Sequence, residues 1–270
     1  MIPPYPLLDQ SNLTPELLET SIYPNIFFNY YQCHDWSPEM YSLLTWAGFL
    51  SVAARSGRSN YVLLPEIQRA YSVLDWNNVK VDKSIARMKA RGELKKRGLS
   101  LCITRDIGPI LEGLDSAHPS NWLRGPYPGL LKELANEQGS DSFGTMTPRV
   151  IAVEIRDMVN NTLVGGEVGY STGAIYTSLS GYFLRHQPEY NHMGKLQLTT
   201  LAILLQSSGY HFWNLGHPYM EYKVHLGAKV LKRPLFLERW KYSRDCTPQH
   251  PLGILPYEEH LCFELMEKMV

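Results

Sequence analysis

Apolar and polar residues alternate with a period of two in three consecutive stretches near the middle of the chain. Arg149–Arg156, 162–170 and 174–182 each place apolar side chains on every second position, as strands do when one face is turned to a core. Polar and glycine residues separate the runs, so they predict an antiparallel meander. A helix-length apolar segment over 194–208 follows, then an aromatic strand at 210–215, a helix at 219–227 and a strand near 259–265.

Upstream the elements are shorter and better punctuated. Asn12 or Thr14 with Pro15 signals a helix start, and Ser37-Pro38-Glu39 opens a second helix that Gly48 stops after Ala47. Phe49–Ala53 and Asn60–Leu64 read as a hairpin around the polar turn 55–59, ended by Pro65. A new region begins near Tyr71–Trp76. Asp82 caps a helix over Lys83–Arg91 that Gly92 ends, Leu99–Thr104 is a strand, and Asp106 caps a helix through Gly113. Trp122–Gly125 precedes a helix reaching Glu137, and Gly139–Met146 is a Gly/Ser-rich loop. The fold class expected is α/β (α+β). A small α/β N-terminal domain over 1–72 precedes an N-acetyltransferase-like domain over 73–270, because antiparallel strands, a crossover helix, a strand and a helix is that fold's order. No repeat or low-complexity tract interrupts it.

Composition narrows the function classes. The 270 residues are 44% hydrophobic, enough for a sizeable core, and 26 basic side chains balance 26 acidic ones. Strong overall attraction to polyanions is not expected, so any nucleic-acid site is a local patch. Cys33, Cys102, Cys246 and Cys262 are scattered without CxxC or His/Cys spacing, which predicts free thiols and no metal. No apolar run approaches the roughly 18–20 residues that span a bilayer. The N-terminus lacks a basic region followed by an apolar core. A cytoplasmic protein without a membrane partner is expected.

The candidate chemistry lies in four places. Asp82–Arg97 carries seven basic residues against two acidic ones, and Lys83, Arg87 and Arg91 share one helical face, with Lys89 nearby. That face is either a phosphate-backbone patch or a solvated amphipathic surface. Trp122, at a loop end, can stack on a base or complete a core. In the strand 163–170, Val164, Val168 and Tyr170 point one way, while Glu167 stands between Gly165 and Gly169 on the other. Glu167 therefore faces either a bound group or water. Asn214, Gly216 and His217 sit where a strand ends and a helix begins, a common ligand position in α/β sheets. His217 can accept a proton near neutral pH, whereas Asn214 can only orient a carbonyl or an amine. Thr177, Ser178 and Ser180 lack a Gly-x-Ser-x-Gly elbow, and the nine histidines form no HExxH cluster. Serine hydrolase and metalloenzyme are both rejected.

Several of these residues carry a resemblance to the leucyl/phenylalanyl-tRNA–protein transferase family. Trp36-Ser37-Pro38, Pro65–Ala70, the basic helix at 82–91 and Gly108–Leu114 leading to Asn121-Trp122 resemble that family's motifs in order. So do Leu163-Val164-Gly165-Gly166-Glu167-Val168-Gly169, Lys195, Leu226-Gly227-Ala228 and Arg233. The resemblance implies transfer of an amino acid, Leu/Phe-like or altered, from aminoacyl-tRNA to a protein or peptide N-terminus, marking it for degradation. It implies no cofactor beyond the aminoacyl-tRNA co-substrate. It implies substrate contacts from Trp122, Glu167, Tyr176, Ser178, Ser180 and Gly181, and tRNA contacts from Lys83, Arg87, Lys89, Arg91 and Lys195.

The chain also departs from the family pattern. The bacterial Asp-x-Gln reads Asn214-Leu215-Gly216, and Gly-Glu-Ser-Met-Phe reads Ser178-Leu179-Ser180-Gly181-Tyr182. A substrate-stacking tryptophan is Val52, and an apolar pocket position is Glu167. These differences are similar to a divergent, eukaryotic-type branch. With Asn214 in place of the carboxylate, general-base help falls to His217, Glu221, Glu167, water or the RNA, and Asn214 is expected to orient the amine or carbonyl. A pocket-facing Glu167 would favour a basic side chain, and Gly181 in place of a pocket methionine would enlarge the cavity. Two rival readings stand beside this one: a catalytically silent tRNA- or peptide-binding relative, and an acyl-CoA-dependent N-acyltransferase. The latter requires a pyrophosphate loop that Asn191–Lys195 fits poorly.

Overall fold

A computed structural model describes residues 5–57, 60–137, 146–184 and 186–268. The expected Gly/Ser-rich loop falls almost wholly outside the described residues, as does part of the turn after β1. Helix α1 (Pro15–Leu17) starts on Thr14, whose hydroxyl accepts from the Leu17 amide at 3.2 Å, and runs into one π-turn over Leu18–Ile22. Helix α2 (Pro38–Trp46) starts on Ser37 in the same way. Strands β1 (Leu50–Ser56) and β2 (Asn60–Glu66) form a separate two-stranded antiparallel sheet.

Next along the chain come β3 (Ala70–Leu74), α3 (Lys83–Ala90), α4 (Glu93–Lys96), β4 (Leu99–Thr104), α5 (Gly108–Ala117) and α6 (Tyr127–Glu137). The meander is β5 (Arg149–Asp157), β6 (Thr162–Thr172) and β7 (Ile175–Phe183), followed by α7 (Met193–Ser207) and β8 (Phe212–Asn214). The chain closes with α8 (Glu221–Leu226), β9 (Lys229–Lys232), α9 (Arg233–Ser243), β10 (Tyr257–Leu261) and α10 (Cys262–Glu267).

One mixed sheet in the order β10-β4-β5-β6-β7-β8-β3-β9 spans the molecule. Its neighbours are antiparallel except for β7 and β8, which run parallel and are joined by α7. Meander, crossover helix and parallel strand form the N-acetyltransferase-like arrangement expected from the order of elements. The sheet divides two cores. Val150, Ala152, Val168 and Tyr170 pack with residues of α2, α5, α6 and α9. Ile151, Val153 and Ile155 pack on the other face with residues of α3, α7 and α10. β3 belongs to this large sheet, whereas β1 and β2 do not.

Three expectations are corrected, and two further elements have no local sequence signal. Val164 does not share a face with Val168 and Tyr170. The register slips between Ile155 and Arg156 of β5, so β6 has one extra residue there and Val164 packs in the α7-side core. Gly165 makes this possible with φ of +147°, in a region open to glycine, where a Cβ would lie 2.3 Å from the Tyr182 carbonyl oxygen. Helix α5 does not stop at Gly113 but continues to Ala117. The glycine is there for close approach instead: a Cβ at 113 would lie 1.9 Å from the Tyr182 ring.

The strand placed near 259–265 is β10 followed by α10, whose Cys262, Leu265 and Met266 turn into the core. The two further elements are β9 and α9. Phe236, Leu237 and Trp240 give α9 its buried stripe, but only the sheet edge at β3 makes β9 a strand. Between them Arg233, 2% exposed, donates to the carbonyls of Gln68, Ile67 and Asn25 and to Asn29 Oδ1. Burial holds its pKa below the ordinary value.

Gly113→Ala should destabilise the protein by about 1–3 kcal/mol through overpacking against Tyr182. In a Tyr182→Ala background the same change should be neutral or stabilising, because alanine favours a helix by about 1 kcal/mol over glycine. Denaturant titration of the four proteins in this cycle reads the difference.

Candidate active site

The site follows from how briefly β7 and β8 pair. Ile175, Tyr176 and Thr177 face Phe212, Trp213 and Asn214 across the parallel ladder, and there the pairing ends. β7 continues to Phe183, so its outer edge lies open beyond Thr177. A second register slip inserts Leu179 between the pairs Gly169–Ser178 and Val168–Ser180. A bulge at this point re-aims the side chains that follow. Into the gap come α7, the start of α8 and the loop after α5, enclosing a cavity of about 570 Å³.

Apolar side chains make most of its wall: Leu179 and Phe183 from β7, Leu198 from α7, and Met220 and Tyr222 around the start of α8. Trp122, His118 and Asn121 close one end. Trp122 is half-buried and tilted against Tyr127 at 5.6 Å, so it serves both core and cavity. Gly194 and Lys195 bring the first turn of α7, the positive end of its dipole, to the same cavity.

Glu167 also lines this cavity, 6% exposed, so the sequence alternative in which it faces water is not the one adopted. Its Oε1 accepts from Ser178 Oγ at 2.7 Å and from the Tyr176 hydroxyl at 3.0 Å. Trp213 Nε1–H donates to the same Ser178 oxygen at 2.9 Å. Tyr176 and Ser178 thus hold Glu167 in place, while Ser180 and Gly181 lie on the cavity wall. Gly181 does not enlarge the space: a Cβ there would lie 2.6 Å from the Gly166 oxygen and 2.9 Å from Glu167 Cβ, so its absence lets Glu167 fit.

Burial pushes the Glu167 carboxyl above the usual carboxylate range, against the pull of its hydrogen bonds and of Lys223. Lys223 is 4% exposed and was not singled out in the sequence. Its ammonium donates to the carbonyls of Leu215 and His217, the latter at 2.7 Å. Burial lowers its pKa to about 8, partly countered by Glu167. A lone lysine in an exposed-looking helix pattern carries no sequence signal for this. Only the chain reversal after β8 puts those carbonyls around it.

His217 has a partner the sequence did not reveal. Its Nε2 lies 2.9 Å from Oε2 of Glu66, which is itself buried, and Tyr219 stacks on the ring at 6.0 Å. Glu66 comes from the end of β2, remote in sequence. Gln68, 1% exposed, lies beside Gly216, and neither end of its amide is hydrogen-bonded among the described residues. Asn214 is engaged internally: Oδ1 accepts from the Gly216 amide at 3.0 Å and Nδ2 donates to Thr177 at 3.4 Å. It therefore shapes the turn that presents His217. Glu221 is exposed in the first turn of α8.

The basic residues divide. Arg87 and Arg91, with Arg97 and His192, line a hollow of about 570 Å³ between α3 and the start of α7. Lys195 lines the first cavity and reaches α3, its Nζ 2.8 Å from Asp82 Oδ2 at the N-cap of that helix. Those hydrogen bonds hold the Asp82 carboxyl far below the usual range. Lys83 is exposed on the first turn of α3, whereas Lys89 donates to the Met266 carbonyl of α10 at 2.7 Å, away from the hollow. Among the described residues no cluster of His, Cys, Asp and Glu is placed to hold a metal ion, and no helix is long and apolar enough to cross a membrane.

No family model and no curated protein matches the chain. Among solved structures, the C-terminal domain (DUF2156) of a putative lysylphosphatidylglycerol synthetase from Agrobacterium fabrum is similar to it, with 12% identity and a TM-score of 0.39. That match covers 80% of this chain and 62% of the other, so the chain spans less than two thirds of its neighbour's length.

Proposed function

We propose that the chain is an aminoacyltransferase that takes its amino acid from aminoacyl-tRNA and gives it to the N-terminal amine of a protein or peptide. The motif resemblance to the leucyl/phenylalanyl-tRNA–protein transferases implies this activity. The observation that carries it is that the arginine-lined hollow and the Trp122 cavity flank the start of α7, with Asn191 and His192 in the wall of one and Gly194 and Lys195 in the wall of the other. Phosphates need cations and a terminal base needs an aromatic face. In a chain of zero formal charge, Arg87, Arg91 and Arg97 outnumber Glu93 and Glu189 in the hollow beside a cavity closed by a tryptophan. In this reading the acceptor end runs along the hollow, its last adenine lies on Trp122, and the aminoacyl group enters between β7 and α7. Lys195 lines the cavity on the side of the first turn of α7.

The reaction needs an amine free of its proton, an aligned ester and a proton for the leaving ribose oxygen. The amine nitrogen bonds to the ester carbonyl carbon, the carbon–oxygen bond to the ribose breaks, and the amine's surplus proton passes to that oxygen. Alignment supplies much of the rate. His217, held by Glu66, is the base assigned to the amine, and a carboxylate on one ring nitrogen leaves the other to accept. Asn214 and Lys223 position it by holding the turn 214–217.

Incubation with a mixture of charged tRNAs and a peptide bearing N-terminal Arg or Lys should transfer one amino acid. Binding without transfer would instead identify a silent relative. His217→Asn and Glu66→Gln should each lower the transfer rate by about 10²–10⁴-fold, the range expected for losing general-base help. Arg87→Gln with Arg91→Gln should weaken tRNA binding and flatten the salt dependence by about 1.5 in the log–log slope, measured by filter binding across ionic strengths.

Lys223 gives a pH test with a defined sign. With a folded pKa of about 8 against an ordinary 10.5, the folded chain releases this proton first as pH rises. The unfolded chain then holds more protons, so stability rises between about pH 8 and pH 10.5. Comparing denaturant titrations at pH 7 and pH 10, wild type should gain about 1–3 kcal/mol relative to Lys223→Met.

A further inference from the structure

We propose that Glu167 selects an aminoacyl group whose side chain has an apolar stem and a cationic head, lysine or arginine rather than leucine or phenylalanine. This deepens the transfer reading above and rests on it.

Glu167 is the acidic group among the described residues lining the cavity, and the side chains flanking it, Leu179, Phe183, Leu198 and Tyr222, are largely apolar. An apolar chamber with a carboxylate in its wall suits a substrate with methylene groups and a terminal cation, because burying an unpaired carboxylate is costly. The carboxylate is only half satisfied from within. Tyr176 and Ser178 both donate to Oε1, and no hydrogen bond to Oε2 is formed among the described residues. Beside it, the Gln197 side chain also favours the charged carboxyl, although its Nε2 makes no hydrogen bond of full geometry among the described residues.

Lys223, the nearby cation, does not fill that role. Its ammonium is directed to the Leu215 and His217 carbonyls and acts on Glu167 only at longer range. Lys195 at the cavity's edge is taken by Asp82. The raised carboxyl pKa fits the same picture: without a cation against it, burial favours the neutral acid, and a bound ammonium or guanidinium would restore the charge. Leucine or phenylalanine would fill the apolar wall but leave the carboxylate desolvated and unpaired. Discrimination of this kind follows from an unpaired buried group more than from any extra contact.

The test uses non-hydrolysable adenosine conjugates that carry the amino acid as a 3′-amide, so binding is read without transfer. By calorimetry, the lysyl conjugate should bind wild-type protein at least about tenfold tighter than the norleucyl conjugate, which matches its stem and lacks its charge. Glu167→Gln should remove that difference, and Glu167→Met should reverse it in favour of norleucyl. Equal or tighter binding of norleucyl or leucyl to wild type overturns the proposal, as does failure of every conjugate to bind. Equal weakening of all conjugates by Glu167→Gln would place the carboxylate on the α-ammonium and overturn it as well. The wild-type comparison stands alone if either variant fails to fold. A transfer assay separates the two readings. Leucine or phenylalanine passed to peptide sinks the selectivity and keeps the activity, whereas lysyl-selective binding without transfer keeps the selectivity and sinks the activity.

Discussion

Two parallel strands that pair for three residues and then part set the conditions for everything near the candidate site. A sheet cannot leave an edge open in its middle without filling the gap, because unpaired backbone groups need partners or solvent. Here the gap is kept by the Leu179 bulge on β7 and occupied from either side by α7 and α8. The cavity is the consequence. Its end wall, Trp122, comes from the opposite core, reaching round from α5, and the Gly113–Tyr182 contact fixes where that helix can lie.

Within that frame, the buried polar groups divide into two kinds. Arg233 is fully engaged, its guanidinium donating to four acceptors that join the N-terminal segment to β3 and α9. Such a group fixes geometry and has little left to offer a ligand. Gln197 and Gln68 are the other kind, each with a buried polar atom that makes no hydrogen bond among the described residues, and Glu167 takes both of its strong hydrogen bonds on Oε1. Buried orphans cost stability, and they persist where something else gains by them. Glu167 and Gln197 lie at one cavity, and Gln68 lies beside the turn that carries His217. The two places are joined by Lys223, which holds the His217 carbonyl and acts electrostatically on Glu167.

The electrostatics connect this interior to the surface. Lys195 and Asp82 tie the first turn of α7 to the cap of α3, as an exposed pair worth no more than about 1 kcal/mol by itself. Its value is geometric. It sets the basic face of α3 against the cavity's edge, so that Arg87 and Arg91 share a hollow with Arg97 and His192.

How much of this was legible in the chain depends on the range of the interactions involved. Period-two and helical patterning, with caps at Thr14, Ser37 and Asp82, located α1, α2, α3, the meander and α7 because those signals are local. Gly165 and Gly181 were visible as residues but not as a bulge and a contact, since both depend on what β7 and β5 bring opposite them. β9 and the α9 that follows it, with the Arg233 cluster between, depend on β3 being an available edge, which no window of sequence contains. The same holds for chemistry. The residue types suited to phosphate, adenine and proton transfer could be read directly as Arg87, Trp122 and His217. Glu66 behind His217, Lys223 beneath the turn, and the diversion of Lys89 to α10 were decided only when distant segments met. The sequence by itself determined which chemical groups were available and on which elements; the tertiary structure alone decided which of them were left without a partner, because desolvation and pairing are properties of contacts made across the fold.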